Sequence, residues 1–117
     1  MPEAPRASSP EDCDVYELND RRQRGEDPFV LDVREPKEFA IARLQGAVEL
    51  PLSIFEAKWR SVLEGMEEEE IIILCRSGKR SAQACGFLKA VGYQKTRNLV
   101  GGILAWADAI DPEMEKY

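Results

Sequence analysis

The 117-residue chain contains no histidine, so a Cys–His or Ser–His pair cannot be drawn from it and papain-like acyl transfer has no base. Cysteine is scarce and odd in number: three residues, at positions 13, 75 and 85, with no C-x-x-C pair. That count fits neither a disulfide framework nor a zinc site, and a reducing, cytoplasmic setting is expected. No apolar run approaches the ~18 residues needed to cross a bilayer, and the opening stretch MPEAPRASSPEDCD lacks the apolar core of a signal peptide, so no membrane role is expected. The net charge of -6 leaves no overall basic field, which excludes nucleic acid as an expected partner and confines any basic patch to a local one.

What is present fits one compact domain: 44% of residues are apolar, enough for a core, and the length is too short for two. Residues 1–13 carry three prolines and few large apolar side chains, and read as a flexible lead-in or linker. The domain is expected to span 14–117. Asp14, with Glu17 three residues on, predicts a helix start, and Gly25 its end. FVLDV (29–33) predicts a buried strand; EPKEFAIAR, with proline in its first turn, a short helix; AVELP (47–51) a second strand. SIFEAKWRSVLEGM places Ile54, Trp59, Val62, Leu63 and Met66 near helical spacing. EIIIL is the most apolar strand and is expected at the centre of the sheet, while GMEEEE before it reads as a solvated turn. SAQACGFLKAVG places Ala82, Cys85, Leu88 and Val91 on one helical face, TRNLV predicts the last strand, and GGILAWADAI the last helix, in which Trp106 packs. Strands and helices alternate throughout. The pattern predicts an α/β fold with a central, mostly parallel sheet of about five strands and helices on both faces.

The stretch IIILCRSGKRSAQACGFL places Cys75 at the last step of the buried strand, where the chain turns polar. In open parallel sheets ligands bind beyond the carboxyl ends of the strands. The loop from Cys75 can curl its N–H groups toward one centre, helped by the freedom of Gly78, with the following helix N-terminus adding positive potential. Arg76, Lys79 and Arg80 add full charges. Together these favour the thiolate, the nucleophilic form of cysteine, and an anion beside it. Tyrosine-phosphatase chemistry uses a cysteine loop of the form C-x5-R. Here the sixth residue after Cys75 is Ser81 and the arginine arrives one step early at Arg80, so the loop is one residue short for that role. A cysteine-dependent phosphatase or arsenate reductase remains the second reading, and a non-catalytic binding module the third.

Four stretches, LDVREPKEF, GAVELPL, CRSGKRS and LVGGILAW, resemble in order and spacing the rhodanese domain, a sulfurtransferase family, across residues 14–117. The resemblance implies a rhodanese-like parallel sheet flanked by helices and a six-residue active loop, Cys75 to Arg80. It implies that Cys75 takes a sulfur atom from a donor as a persulfide and passes it to a nucleophilic acceptor. By the same match Arg76, Ser77, Gly78, Lys79, Arg80 and Ser81 hold the persulfide through main-chain N–H groups, and the basic side chains recruit a small anionic donor such as thiosulfate. No metal or organic cofactor is implied. EFAIARLQGAVELPL and the GGILAWADAIDPEMEKY tail further resemble the rhodanese domains attached to E1-like adenylating enzymes. Those feed ubiquitin-like sulfur-carrier proteins for molybdopterin, thiamine or thiolated tRNA, and such a carrier or adenylating enzyme is the implied partner.

Bland readings stand beside these. Cys85 lies on the inward helical face and reads as a small core residue, with a resolving thiol as its alternative. Cys13 reads as incidental. Asp32 and Arg34 are expected to tie the strand-end loops together rather than to act as acid and base, as is Glu38. Gly101 and Gly102 read as turn glycines that also let the last helix approach the active loop.

Overall fold

The computed structural model describes residues 3–117. Strands and helices alternate: β1 Asp12–Cys13, α1 Val15–Gln23, β2 Val30–Asp32, α2 Pro36–Phe39, β3 Val48–Glu49, α3 Leu52–Val62, β4 Ile71–Leu74, α4 Lys79–Ala90, β5 Thr96–Leu99 and α5 Gly102–Ala109. The five strands form one sheet in the order β1-β5-β4-β2-β3, and every neighbouring pair is parallel. The apolar strand β4 lies at the centre. Its side chains alternate between two cores because successive residues of a strand face opposite sides of the sheet. Ile71 and Ile73 pack with Phe55, Trp59, Leu63 and Leu88, the cluster under α3 and α4. Ile72 and Leu74 pack with Val15, Leu18, Ile103 and Trp106, under α1 and α5. A strand buried on both faces needs no polar alternation, which is why EIIIL reads as a continuous apolar run.

Local chemistry sets the element boundaries. The Asp14 carboxylate accepts the N–H of Glu17 at 2.9 Å, satisfying one of the open donors at the start of α1. Pro36 opens α2, and the Glu38 carboxylate reaches back to the N–H of Glu35 at 3.0 Å. Gly78, with φ of 111°, turns the chain into α4 at Lys79, two residues earlier than Ser81, where the sequence pattern begins.

Three expectations are corrected. The buried face of α4 is Ser81, Ala84, Cys85 and Leu88, whereas Ala82 and Val91 are exposed: a strict three-residue step drifts off one face of a helix that turns every 3.6 residues. In α3 the inward residues are Phe55 and Trp59, four apart and followed by Leu63, while Ile54 is exposed. The third concerns residues 1–13, expected to be a flexible lead-in; residues 1 and 2 lie outside the described residues. Asp12 and Cys13 form the edge strand β1, in register with Asn98 and Leu99. Cys13 is fully buried, Ala4 packs into the α1–α5 core, and the Ala4 N–H donates to the Tyr16 hydroxyl at 2.9 Å. Cys13 is therefore a core residue and not incidental. Its partners are some 85 residues away in the chain, and composition is a local signal that carries no record of them. Among the described residues, no helix is long and apolar enough to cross a membrane.

Candidate active site

The carboxyl end of β4 delivers Cys75 into the loop before α4, at 1% exposure. The positive φ of Gly78 turns its own N–H back onto the Cys75 Sγ, at 3.0 Å. The Ser81 Oγ lies 3.3 Å from the same sulfur. Burial pushes the Cys75 thiol up. The Ser81 hydroxyl, able to donate to the sulfur once it is ionised, and the N–H groups of Ser81, Gly78 and Ser77 outweigh burial and leave the thiol below its ordinary value. Main-chain N–H groups and a helix N-terminus were expected to act together with three basic side chains; the main chain and one hydroxyl supply the largest lowering effects.

The loop is backed by α5. The carbonyls of Cys75 and Arg76 accept the N–H groups of Ile103 and Leu104 at 2.9 and 3.1 Å, so the open donors of the α5 N-terminus fasten the loop. This approach requires glycine at 102. Its φ is +59°, and a Cβ there would lie 2.5 Å from the Cys75 carbonyl oxygen and in collision with that of Arg76.

The basic side chains of the loop have different fates. Arg80 forms a two-pronged pair with the Glu38 carboxylate at 2.6 and 2.7 Å, which holds Glu38 at a pKa of about 2. Arg76, exposed, bonds the main-chain oxygen of Tyr117 through Nε at 2.7 Å and through Nη2, and its guanidinium lies over the Tyr117 ring. Lys79 is exposed and forms no ion pair among the described residues. Behind the loop, fully buried Arg34 grips the Asp32 carboxylate through Nε and Nη2 at 3.0 and 2.8 Å. It also donates to the carbonyls of Glu38 and Ala42 and to the Tyr117 hydroxyl, tying β2, α2 and the C-terminal segment into one unit. The Tyr117 hydroxyl in turn donates to Glu38 at 2.7 Å.

Ser77, Gly78 and Ser81 are thus the loop residues that act on the Cys75 sulfur, while Arg76 and Arg80 turn to Tyr117 and Glu38, Lys79 to solvent, and Asp32 and Arg34 pair with each other. Two contributors escape a reading of the sequence. Asn98 of β5 accepts the Ser81 hydroxyl on Oδ1 and donates from Nδ2 to the Gly78 carbonyl at 3.2 Å. Its signal is faint: a half-buried asparagine near the end of TRNLV, where a β-former is the favoured residue. Tyr117 gives no signal at all, since its role depends on the tail folding back over α2.

The fold and the loop define a class of protein: a parallel α/β sheet that presents a buried cysteine, ringed by main-chain N–H groups, at the carboxyl end of its central strand. The rhodanese-like domain model matches residues 14–109, and the chain belongs to that family. It is 35% identical over 96 residues to a sulfurtransferase of Allochromatium vinosum, covering 82% of this chain and 87% of the relative. It is 33% identical over 97 residues to the adenylyltransferase and sulfurtransferase MOCS3-2 of Zea mays, with 80% of this chain covered but only 20% of that protein. With the probable adenylyltransferase/sulfurtransferase MoeZ of Mycobacterium tuberculosis it shares 32% over 101 residues, 86% of this chain and 26% of the relative. The chain therefore spans a fifth to a quarter of these two-activity relatives. Among solved structures, a rhodanese-related protein from Thermoplasma volcanium superposes with a TM-score of 0.72 at 28% identity, covering 84% of this chain and 91% of that one. The human single-domain sulfurtransferase TSTD1 does so with a TM-score of 0.69 at 26% identity, covering 87% and 98%. Rhodanese-type sulfurtransferase chemistry is the activity these relationships support.

Proposed function

We propose that the protein moves sulfane sulfur through a persulfide on Cys75. One observation carries this reading: a buried sulfur at the focus of the Gly78 N–H and the Ser81 hydroxyl, with its thiol held below the ordinary value. In the first half-reaction the Cys75 thiolate attacks the outer sulfur of a donor such as thiosulfate. A new S–S bond forms, the donor's own S–S bond breaks, and sulfite leaves with its electron pair. The persulfide's charge resides on the terminal sulfur, in a ring of N–H donors that needs no metal to hold it. In the second half-reaction a thiophilic acceptor attacks that sulfur and the Cys75 thiolate departs. Lys79, exposed and without an ion pair among the described residues, is the loop cation placed to meet the incoming anion. Arg80, paired with Glu38, instead orients the start of α4.

The adenylyltransferase relatives favour a place in a sulfur-carrier pathway for molybdopterin, thiamine or tRNA thiolation, with a ubiquitin-like carrier or an E1-like enzyme as partner. The test is intact mass spectrometry after incubation with thiosulfate and then cyanide, with Cys75→Ser alongside. The reading requires that the wild type gain one sulfur atom, that cyanide remove it as thiocyanate, and that the variant gain none. A folded wild type left unmodified by thiosulfate, by mercaptopyruvate and by a cysteine-desulfurase donor would sink it, and Cys75-dependent hydrolysis of an aryl phosphate would then favour the phosphatase reading.

A further inference from the structure

Ser81 has one hydroxyl proton and two neighbours that compete for it. On one side is the Cys75 Sγ at 3.3 Å, on the other the Asn98 Oδ1, which receives the proton in the structure. The Asn98 carboxamide cannot turn over to relieve that competition. Its Nδ2 donates to the Gly78 carbonyl, and a flipped amide would set two oxygens against each other there. With the proton directed at Asn98, the Ser81 oxygen offers only lone pairs to Cys75, an arrangement that suits a thiol S–H and opposes a thiolate. Ser81 is fully buried, so water does not intervene in the choice.

We propose that Asn98 is a positioning residue that parks the Ser81 proton away from Cys75, making Ser81 and Asn98 a two-position hydrogen-bond switch set by the charge on the sulfur. When the Cys75 Sγ is negative, as the attacking nucleophile or as the leaving group, the Ser81 O–H turns to it. When Sγ is neutral, as a thiol or as the inner sulfur of a persulfide, the O–H returns to Asn98. The switch withholds one donor until charge appears on the inner sulfur, so it works against over-stabilising the resting thiolate and lets the nucleophile keep its reactivity. Its timing in turnover rests on the persulfide reading; the switch itself does not.

The test is the pKa of Cys75, read from thiolate ultraviolet absorbance against pH as the difference between each protein and its own Cys75→Ser counterpart. Cys13 and Cys85 do not interfere, since burial pushes both to about 12. Ser81→Ala removes the donor and is expected to raise the Cys75 pKa by about one unit. Asn98→Ala removes the competing acceptor and is expected to lower it by about half a unit to one unit. The Gly78 carbonyl keeps its bond from the Ala82 N–H in that variant. In a Ser81→Ala background the Asn98 substitution is expected to change nothing, because there is no proton left to redirect. Asn98→Val, better suited to β5, repeats the test if the alanine variant does not fold. A raised pKa in the Asn98 variants, an equal shift with and without the Ser81 hydroxyl, or failure of both variants to fold would leave Asn98 a purely structural residue and overturn the proposal. No sulfur donor enters these titrations, so their outcome and that of the sulfur-loading experiment stand apart.

Discussion

Cys75 and Cys85 are both buried against the same apolar cluster on one face of the sheet, yet their thiols are driven in opposite directions. Burial acts on both. At Cys85, on the inner face of α4, only the charge of Lys89 opposes burial, and the thiol is pushed up to about 12. At Cys75 the same penalty is overturned by a hydroxyl and three main-chain N–H groups. The difference lies in the backbone. Inside a helix the N–H groups are committed to carbonyls four residues back, whereas in the Cys75–Gly78 turn and the first turn of α4 they are free to converge on a sulfur. The opposite shifts of the two thiols thus follow from the backbone turn and one hydroxyl.

The sharpest way to break this comparison is to exchange the fates of the two thiols. Cys75→Ser is expected to abolish sulfur loading and to reduce sulfur transfer about a thousand-fold or more. In the wild type, alkylation located by peptide mass spectrometry is expected to reach its plateau at a lower pH for Cys75 than for Cys85. Equal profiles for the two thiols would mean that the turn does not distinguish them. The next effect is geometric. Gly102→Ala drives a Cβ into the carbonyls of Cys75 and Arg76, so the loop must shift by about an ångström, and sulfur transfer is expected to fall about a hundred-fold while circular dichroism still reports a folded chain. Unchanged kinetics would show that α5 does not set the loop.

A smaller effect concerns Glu38. Its folded pKa of about 2 lies below the unfolded value, so the unfolded chain binds more protons in acid. The stability the ionised Glu38 contributes is full above roughly pH 5 and is lost as pH falls toward 2. Glu38→Gln is expected to lower stability at neutral pH by about 1–3 kcal/mol and to flatten the acid limb of denaturant-measured stability between those limits. An unchanged acid limb would remove Glu38 from the network. The smallest change is expected at the other thiol: Cys85→Ala should cost about 1 kcal/mol in thermal or denaturant unfolding and leave sulfur loading intact. Loss of loading in that variant would revive the idea of a resolving thiol.

The alternation of strands and helices, the central place of β4, the helix starts at Asp14 and Pro36 and the position of Cys75 at the end of a buried strand were all legible in the amino-acid order. Each depends on neighbours within about a turn or a strand's length: periodicity, capping side chains, proline and glycine. The inward faces of α3 and α4 were only half legible, because several near-helical spacings fit the same residues and only contact with the sheet chooses among them. The edge strand at Asp12–Cys13, the split among Arg76, Lys79 and Arg80, the Ser81–Asn98 contact and the Tyr117 bridge were decided by tertiary structure. The pairings join residues distant in the chain, from 17 between Ser81 and Asn98 to 86 between Asp12 and Asn98, and a local pattern holds no information on which distant group will meet which. Sequence alone thus determined that Cys75 would stand at the carboxyl end of the central strand; only the folded chain decided which groups surround its sulfur.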